Sequence, residues 1–167
     1  PSAGRLFRLL GLHPTPEFDT ALAASVADLR TDRAAAVLAD LVAANLLTEF
    51  RRGRFVIHDL LHAYAAALVD TEESDDCRRA ATGRMLDHYL HAARAGAAVV
   101  YPARTDRELL PALAGRQPVG FTDSQAALVW FATEQEALIG AVHLAHRVGF
   151  HRHACDLPPP GRERARR

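Results

Sequence analysis

Lysine is absent from this chain: all 20 basic residues are arginine. Against 20 acidic residues they leave a formal net charge of zero, which removes the broad electrostatic case for nucleic acid. With so much alanine and leucine, the arginine bias mainly reflects a GC-rich genome, although arginine suits bidentate contact with phosphate or carboxylate better than lysine does. Cysteine is nearly missing as well. Cys77 and Cys155 stand far apart and in no CxxC, a usage that suits a reduced, cytoplasmic protein. No apolar run reaches the roughly 18–20 residues needed to span a bilayer. No basic-then-apolar leader opens the chain, so nothing points to export. The first residue is Pro1 rather than Met, which suggests a piece of a longer protein.

What the chain does have is apolar material, 49% over 167 residues, enough to bury a real core in one ordinary domain or two small ones. Residues 1–70 read as one unit. "GRLFRLLGL" places Leu6, Phe7, Leu9 and Leu10 at helical spacing, and "HPTP" ends that helix. A second helix follows in "DTALAASVADL" with Asp19 as its cap, and a third in "DRAAAVLADLVAANLL" with Thr31 as its cap. The third carries an apolar stripe of Ala34, Val37, Leu38, Leu41 and Val42. "LTEFRRGRFVI" is two short β-type runs around Gly53, a hairpin pattern, and "HDLLHAYAAALV" closes the unit as a helix. Helices, a short break, a helix and a hairpin is the order of a winged helix-turn-helix, so the expected class is mainly α.

Residues 71–156 are helical in another style. "TEESDD" predicts a polar linker, and a long helix is expected from about Asp76 to Val100, with Leu86, Tyr89, Leu90, Ala93 and Ala97 on its apolar stripe. Prolines 102, 111 and 118 make residues 101–122 a loop, and two helices follow, around Ala126–Phe131 and Gln135–Val148. Trp130 and Phe131 are expected in the core between them. The end, residues 157–167, has no apolar periodicity and is expected to be disordered.

The join between hairpin and fourth helix carries the candidate site, the pair His58–Asp59 in "RFVIHDLLHAYAAALVD". Four readings stand open. Asp59 is expected as the helix N-cap, its carboxylate taking orphan backbone N–H groups, with His58 then only a last strand residue. "HDLLH" sets His58, Asp59 and His62 near the HExxH spacing of zinc proteases, but a capping Asp59 leaves His58 outside the helix and its own carboxylate already engaged. Nucleic acid is the third. The third helix offers Asp32, Arg33, Ala35, Ala36 and Asp40, a poor set for phosphates or base edges, so only Arg51, Arg52 and Arg54 of the wing suit a backbone contact. Fourth, a histidine just ahead of a helix start aims an N–H donor at an anion near that terminus, with Asp59 holding the turn.

"RLFRLLGLHPTPEFD", "AAAVLADLVAANLLTE" and "GRFVIHDLLHAYA" together resemble the winged-helix part of bacterial NB-ARC (STAND) regulatory ATPases, in particular the antibiotic-regulatory-protein type transcriptional regulators of actinomycetes. "MLDHYLHAA" and "ALVWFATEQEALIGAV" resemble the helical segment that joins that domain to tetratricopeptide-like repeats. The resemblance spans about residues 3–156. It implies a switch in which an ATPase core binds ADP or ATP, the winged helix folds over the nucleotide, and the repeats sense a protein partner or inducer. His58–Asp59 then resembles the family's MHD-type motif, which implies that His58 faces the nucleotide phosphate and Asp59 positions it. The motif's first position is Ile57 rather than Met, and His62 stands where look-alikes often carry Arg. No GxxxxGK followed by Ser or Thr occurs, so the chain has no phosphate loop of its own. The resemblance therefore implies no catalysis by this chain, nucleotide held mainly by the missing core, and a lid rather than a DNA reader, with DNA binding through Arg51, Arg52 and Arg54 as the alternative. The lack of a long apolar run leaves no membrane partner expected.

Two further groups call for weighing. His143, His146, His151, His153 and Cys155 are plausible zinc ligands, or solvated polar positions beside an apolar stripe of Leu138, Ile139, Val142 and Ala145. Tyr64, one turn into the last helix of the first unit, is expected in the core with its hydroxyl near the surface.

Overall fold

The computed structural model describes residues 3–102 and 120–157. Those residues are mainly helical, with one small three-stranded antiparallel sheet. The chain divides into two compact units, residues 1–85 and 86–167, and the division falls inside one long helix.

In the first unit, α1 (Ala3–Leu10) buries the four apolar residues expected of it, Leu6, Phe7, Leu9 and Leu10. The "HPTP" segment then does more than stop a helix. His13 is buried, its Nδ1 donating to the Thr15 carbonyl at 2.6 Å, and the following residues form a strand, β1 (Glu17–Asp19). Only a hairpin was expected here. Strand β1 pairs antiparallel with residues Arg54–Val56 of the hairpin, Phe18 opposite Phe55 with their rings stacked at 5.9 Å, and so lies on the opposite side of that strand from Thr48–Arg51. Three residues are too few to display a strand's alternation, so it is the Phe18–Phe55 contact that makes this segment a strand.

Helix α2 (Thr20–Ala27) starts as expected, the Asp19 carboxylate accepting the Leu22 N–H at 2.7 Å. For α3 (Thr31–Ala43) the expected cap is displaced by one residue: Arg30 is the N-cap without a side-chain bond, and Thr31 is already helical. Asp32 occupies the first turn, where its carboxylate favours the helix dipole and meets Arg30 at 3.1 Å. The α3 stripe buries Ala34, Val37, Leu38 and Leu41, while Val42 is half-buried. Strands β2 (Thr48–Arg51) and β3 (Arg54–Val56) form the hairpin, with an irregularity in register between Glu49 and Arg51. Its turn requires Gly53, which sits at φ +73°, where an L side chain is strained. The Gly53 carbonyl takes the Thr20 N–H at 3.1 Å, pinning the turn to the start of α2.

Helix α4 (Asp59–Glu72) packs on α1 so closely that a Cβ on Gly11 would lie 2.4 Å from the Ala65 backbone. The polar linker of the sequence shrinks to Glu73 and Ser74, because α5 (Asp75–Val100) begins at once. Two anchors hold this connection to the unit. Arg8 and Arg5 converge on the Glu73 carboxylate, and the Arg84 guanidinium caps the last carbonyls of α2, reaching Val26 at 2.6 Å and Ser25 at 3.1 Å.

In the second unit, the continuation of α5 buries Leu86, Tyr89, Leu90 and Ala93, with Ala97 only half-buried. Asp123 caps α6 (Ser124–Thr133) through the Ala126 N–H, and α7 (Gln135–Arg147) follows. Trp130 and Phe131 are half-buried rather than fully enclosed; they stack edge-to-face, and Phe131 lies where a Cβ on Gly96 would stand 2.9 Å away. A further short helix, α8 (His151–Asp156), was not expected, since six residues carry too little periodicity to read. Leu157, placed in the expected disordered tail, is buried. The rest of that tail, and most of the expected 101–122 loop, lie outside the described residues.

Candidate functional site

Strand β3 delivers the chain to α4 through a buried anchor. Ile57 is enclosed and its N–H donates to the Pro16 carbonyl at 3.0 Å, which fixes the next residue at the surface. That residue is His58, and it is the N-cap of α4, with φ −59° and ψ 140°. Its Nδ1 accepts the Leu60 N–H at 3.4 Å, a long and weak bond, and its carbonyl accepts the His62 N–H at 2.9 Å. The expectation that Asp59 is the cap is therefore corrected. Asp59 is the first helical residue, exposed, and its carboxylate acts on the helix dipole rather than on a single amide. The ring lone pair, one residue earlier, does the capping because the break from extended to helical backbone falls at His58.

This contact favours one tautomer of the ring. If Nδ1 accepts, the neutral imidazole carries its proton on Nε2, which remains as a donor. His58 is exposed, so the ring is neither packed among aliphatic side chains nor closed to an approaching group.

Beyond the cap, α4 presents an uncovered apolar face. Leu60 is 76% exposed and Tyr64 56%, with Ala63 and Ala67 exposed on the same turns. The expected core position of Tyr64 is thus overturned. Leu60, Leu61, Tyr64, Leu68 and Val69 spread over about half of the helix circumference, wider than the stripe that packing buries, so spacing alone does not choose which part turns inward. The close approach at Gly11 chooses it, burying Ala65 and Val69 and leaving Leu60 and Tyr64 outside. This exposed stripe is the feature that sequence reasoning missed, and its only trace is a helix with more apolar residues than one face can bury.

His62 lies on a different side. It is half-buried, and its Nε2 is shut away from solvent with no hydrogen-bond partner among the described residues. His58, Asp59 and His62 do not form a group that could hold a metal, nor does any set of three or more His, Cys, Asp or Glu among the described residues. In the C-terminal His and Cys cluster, the His146 and His151 rings meet edge-to-face at 6.1 Å. His153 turns to Asp87 at 2.7 Å, and Cys155 is exposed.

The three wing arginines separate. Arg51 and Arg52 are exposed and have no ion-pair partner among the described residues, whereas Arg54 is half-buried with its guanidinium 4.0 Å from Glu17. The exposed side of α3 bears Asp32, Arg33, Ala35, Ala36, Ala39 and Asp40. Among the described residues, no helix is long and apolar enough to cross a membrane.

No protein-family model matches this chain, and no solved structure does. Two curated relatives do. The chain is 37% identical over 163 residues to the regulatory protein AfsR of Streptomyces coelicolor, and 34% identical over 161 residues to the regulatory protein AfsR of Streptomyces griseus. Each match covers 94% of this chain but only 16% of the relative, so the chain spans a small part of the length of the proteins it resembles.

Proposed function

We propose that this chain is a regulatory lid segment of a STAND-type, cytoplasmic transcriptional regulator. In this reading residues 1–70 are a winged-helix domain, residues 71–156 lead into tetratricopeptide-like repeats, and the ATPase core that binds ADP or ATP lies elsewhere in a longer polypeptide. His58 meets the phosphate of the bound nucleotide through Nε2, Asp59 stabilises the helix start that presents the ring, and the segment itself is no enzyme. The observation that carries this reading is the exposed His58 cap, with Nδ1 committed to the Leu60 amide and the apolar Leu60–Tyr64 stripe beside it. The likeness to two regulatory proteins supports the broader role.

Magnitudes favour a lid over an independent binder. One imidazole contact to phosphate contributes about 1–3 kcal/mol, whereas micromolar affinity needs about 8. A few kcal/mol is instead the scale that biases a two-state closure. The stripe of Leu60 and Tyr64 adds apolar area that docking onto the core removes from water.

The test uses the longer regulator loaded with labelled ADP. His58→Ala is expected to speed ADP release by about tenfold, equivalent to about 1.4 kcal/mol, and the 167-residue chain alone is expected to show no ADP binding by calorimetry. Unchanged release in both His58→Ala and the Leu60→Ser, Tyr64→Ser double variant would overturn the reading. DNA binding through the wing has exposed Arg51 and Arg52 in its favour, but Arg54 is drawn to Glu17 and the exposed side of α3 carries Asp32 and Asp40.

A further inference from the structure

The hairpin tip has a composition that the lid reading does not use. Most arginines of the first unit are engaged: Arg8 on Glu73, Arg30 on Asp32, Arg78 on Asp75, and Arg84 on the end of α2. Arg51 and Arg52 have no ion-pair partner among the described residues, and both are exposed at the tip. The acidic neighbour that would neutralise them is turned inward to the loop: the Glu49 carboxylate accepts the Gly53 N–H at 2.7 Å. Between Glu49 and Arg51 stands Phe50, 44% exposed, at the irregularity of register. All four residues of β2 are exposed, so neither face of the strand is covered, and β2 is an edge of the sheet.

An exposed aromatic beside two guanidiniums that have no ion-pair partner among the described residues, at the end of an uncovered edge strand, is a docking surface with a defined polarity. We infer that the tip of the β2–β3 hairpin binds an acidic segment of a partner protein. Its carboxylates lie on Arg51 and Arg52 in forked, charge-assisted hydrogen bonds, and an apolar side chain covers Phe50. Arginine and aromatic residues are the pair most enriched among residues that dominate binding energy at protein interfaces. Nucleic acid fits less well. Two phosphate contacts give little affinity at physiological salt, and the acidic groups on the exposed side of α3 oppose a duplex. This surface is separate from His58 and stands whether or not the lid reading holds.

The experiment selects a displayed library of random peptides on the full 167-residue chain. The expected winners carry two or more carboxylates flanking an apolar residue. Their affinity falls as salt rises and drops about tenfold in the Arg51→Glu, Arg52→Glu double variant. Phe50→Ser weakens them as well, while the lysine pair Arg51→Lys, Arg52→Lys, which keeps the charge but not the fork, loses part of the binding and less than charge reversal does. Leu60→Ser with Tyr64→Ser leaves it unchanged. All changed positions are exposed, and matched thermal melts show that the variants remain folded. Winners without acidic residues, or winners that bind the charge-reversed chain equally, overturn the inference. So does a labelled DNA duplex or single strand that binds more tightly than any selected peptide and loses binding in the same charge-reversed variant.

Discussion

The Arg8 guanidinium donates to the Glu73 carboxylate at 2.8 Å, tying the first helix of the chain to the residue where α4 ends and α5 is about to start. Arg5 reaches the other oxygen of the same carboxylate at 3.4 Å. Burial works to raise this carboxyl, but the hydrogen bonds and charges of Arg8 and Arg5 outweigh it and hold Glu73 below the ordinary glutamate range. A depressed folded-state value means the contribution is fully present above the unfolded value of 4.5 and is lost as pH falls through the lower folded one. Thermal melts between neutral pH and pH ~3 are therefore expected to show an acid-side loss of stability. Glu73→Gln is expected to flatten that loss and to cost about 1–3 kcal/mol at neutral pH.

Gly11 is expected to tolerate no side chain. Its Cβ would stand 2.4 Å from the backbone of both Ala65 and Ala66, which has no rotamer through which to yield. Gly11→Ala is expected to cost about 3 kcal/mol or more in denaturant unfolding. Gly4→Ala, on the exposed side of α1 with its nearest neighbour at 3.9 Å, is expected to be neutral or slightly stabilising.

The caps of α4 make a paired prediction. With His58 as the capping residue through one long bond, His58→Ala is expected to cost about 0.5 kcal/mol in the isolated chain. Asp59→Asn loses only its interaction with the helix dipole, about 0.3–1 kcal/mol, and that loss shrinks as salt is added. A cost of 2 kcal/mol or more for Asp59→Asn would mean that its carboxylate, not the imidazole, holds the helix start. Chemical denaturation at two salt concentrations separates these outcomes.

Exposure predicts an inversion of the usual order of apolar substitutions. Leu60→Ser and Tyr64→Ser are expected to change the stability of the isolated chain by about 0.5 kcal/mol or less. Ile57→Ala, at the buried residue just before the cap, is expected to cost about 2–4 kcal/mol. Urea unfolding of the three variants decides it.

In the second unit, α8 depends on polar anchors. His153 bonds to Asp87 at 2.7 Å, and Arg94 lies 3.5 Å from Asp156. A helix of six residues does not persist by itself in water. Asp87→Ala is therefore expected to speed hydrogen exchange at the α8 amides well before it affects those of α7.

Much of the architecture was written in local pattern. The α1 stripe, the Asp19 cap, the α3 stripe, the Gly53 turn and the long α5 helix each follow from spacing or from one residue's backbone preference, and neighbours in sequence suffice to impose them. The position of the candidate site was legible for the same reason, since a β-type run meets a helical one at His58–Asp59. Its inner geometry was not. Whether ring or carboxylate caps the helix depends on a backbone break shifted by one residue, and no propensity resolves that.

Residue order alone thus determined the helical class, the strand–helix join and the clustering of Arg51, Arg52 and Arg54 around the hairpin turn. Tertiary packing decided that residues 17–19 become a strand, because Phe18 needs Phe55 across the sheet. It decided that Tyr64 and Leu60 face outward, because Gly11 lets α1 approach the opposite side of α4. It also drew Arg54 to Glu17 while leaving Arg51 and Arg52 open. In each case the deciding partner is distant along the chain, and a contact of that kind leaves no periodicity behind it.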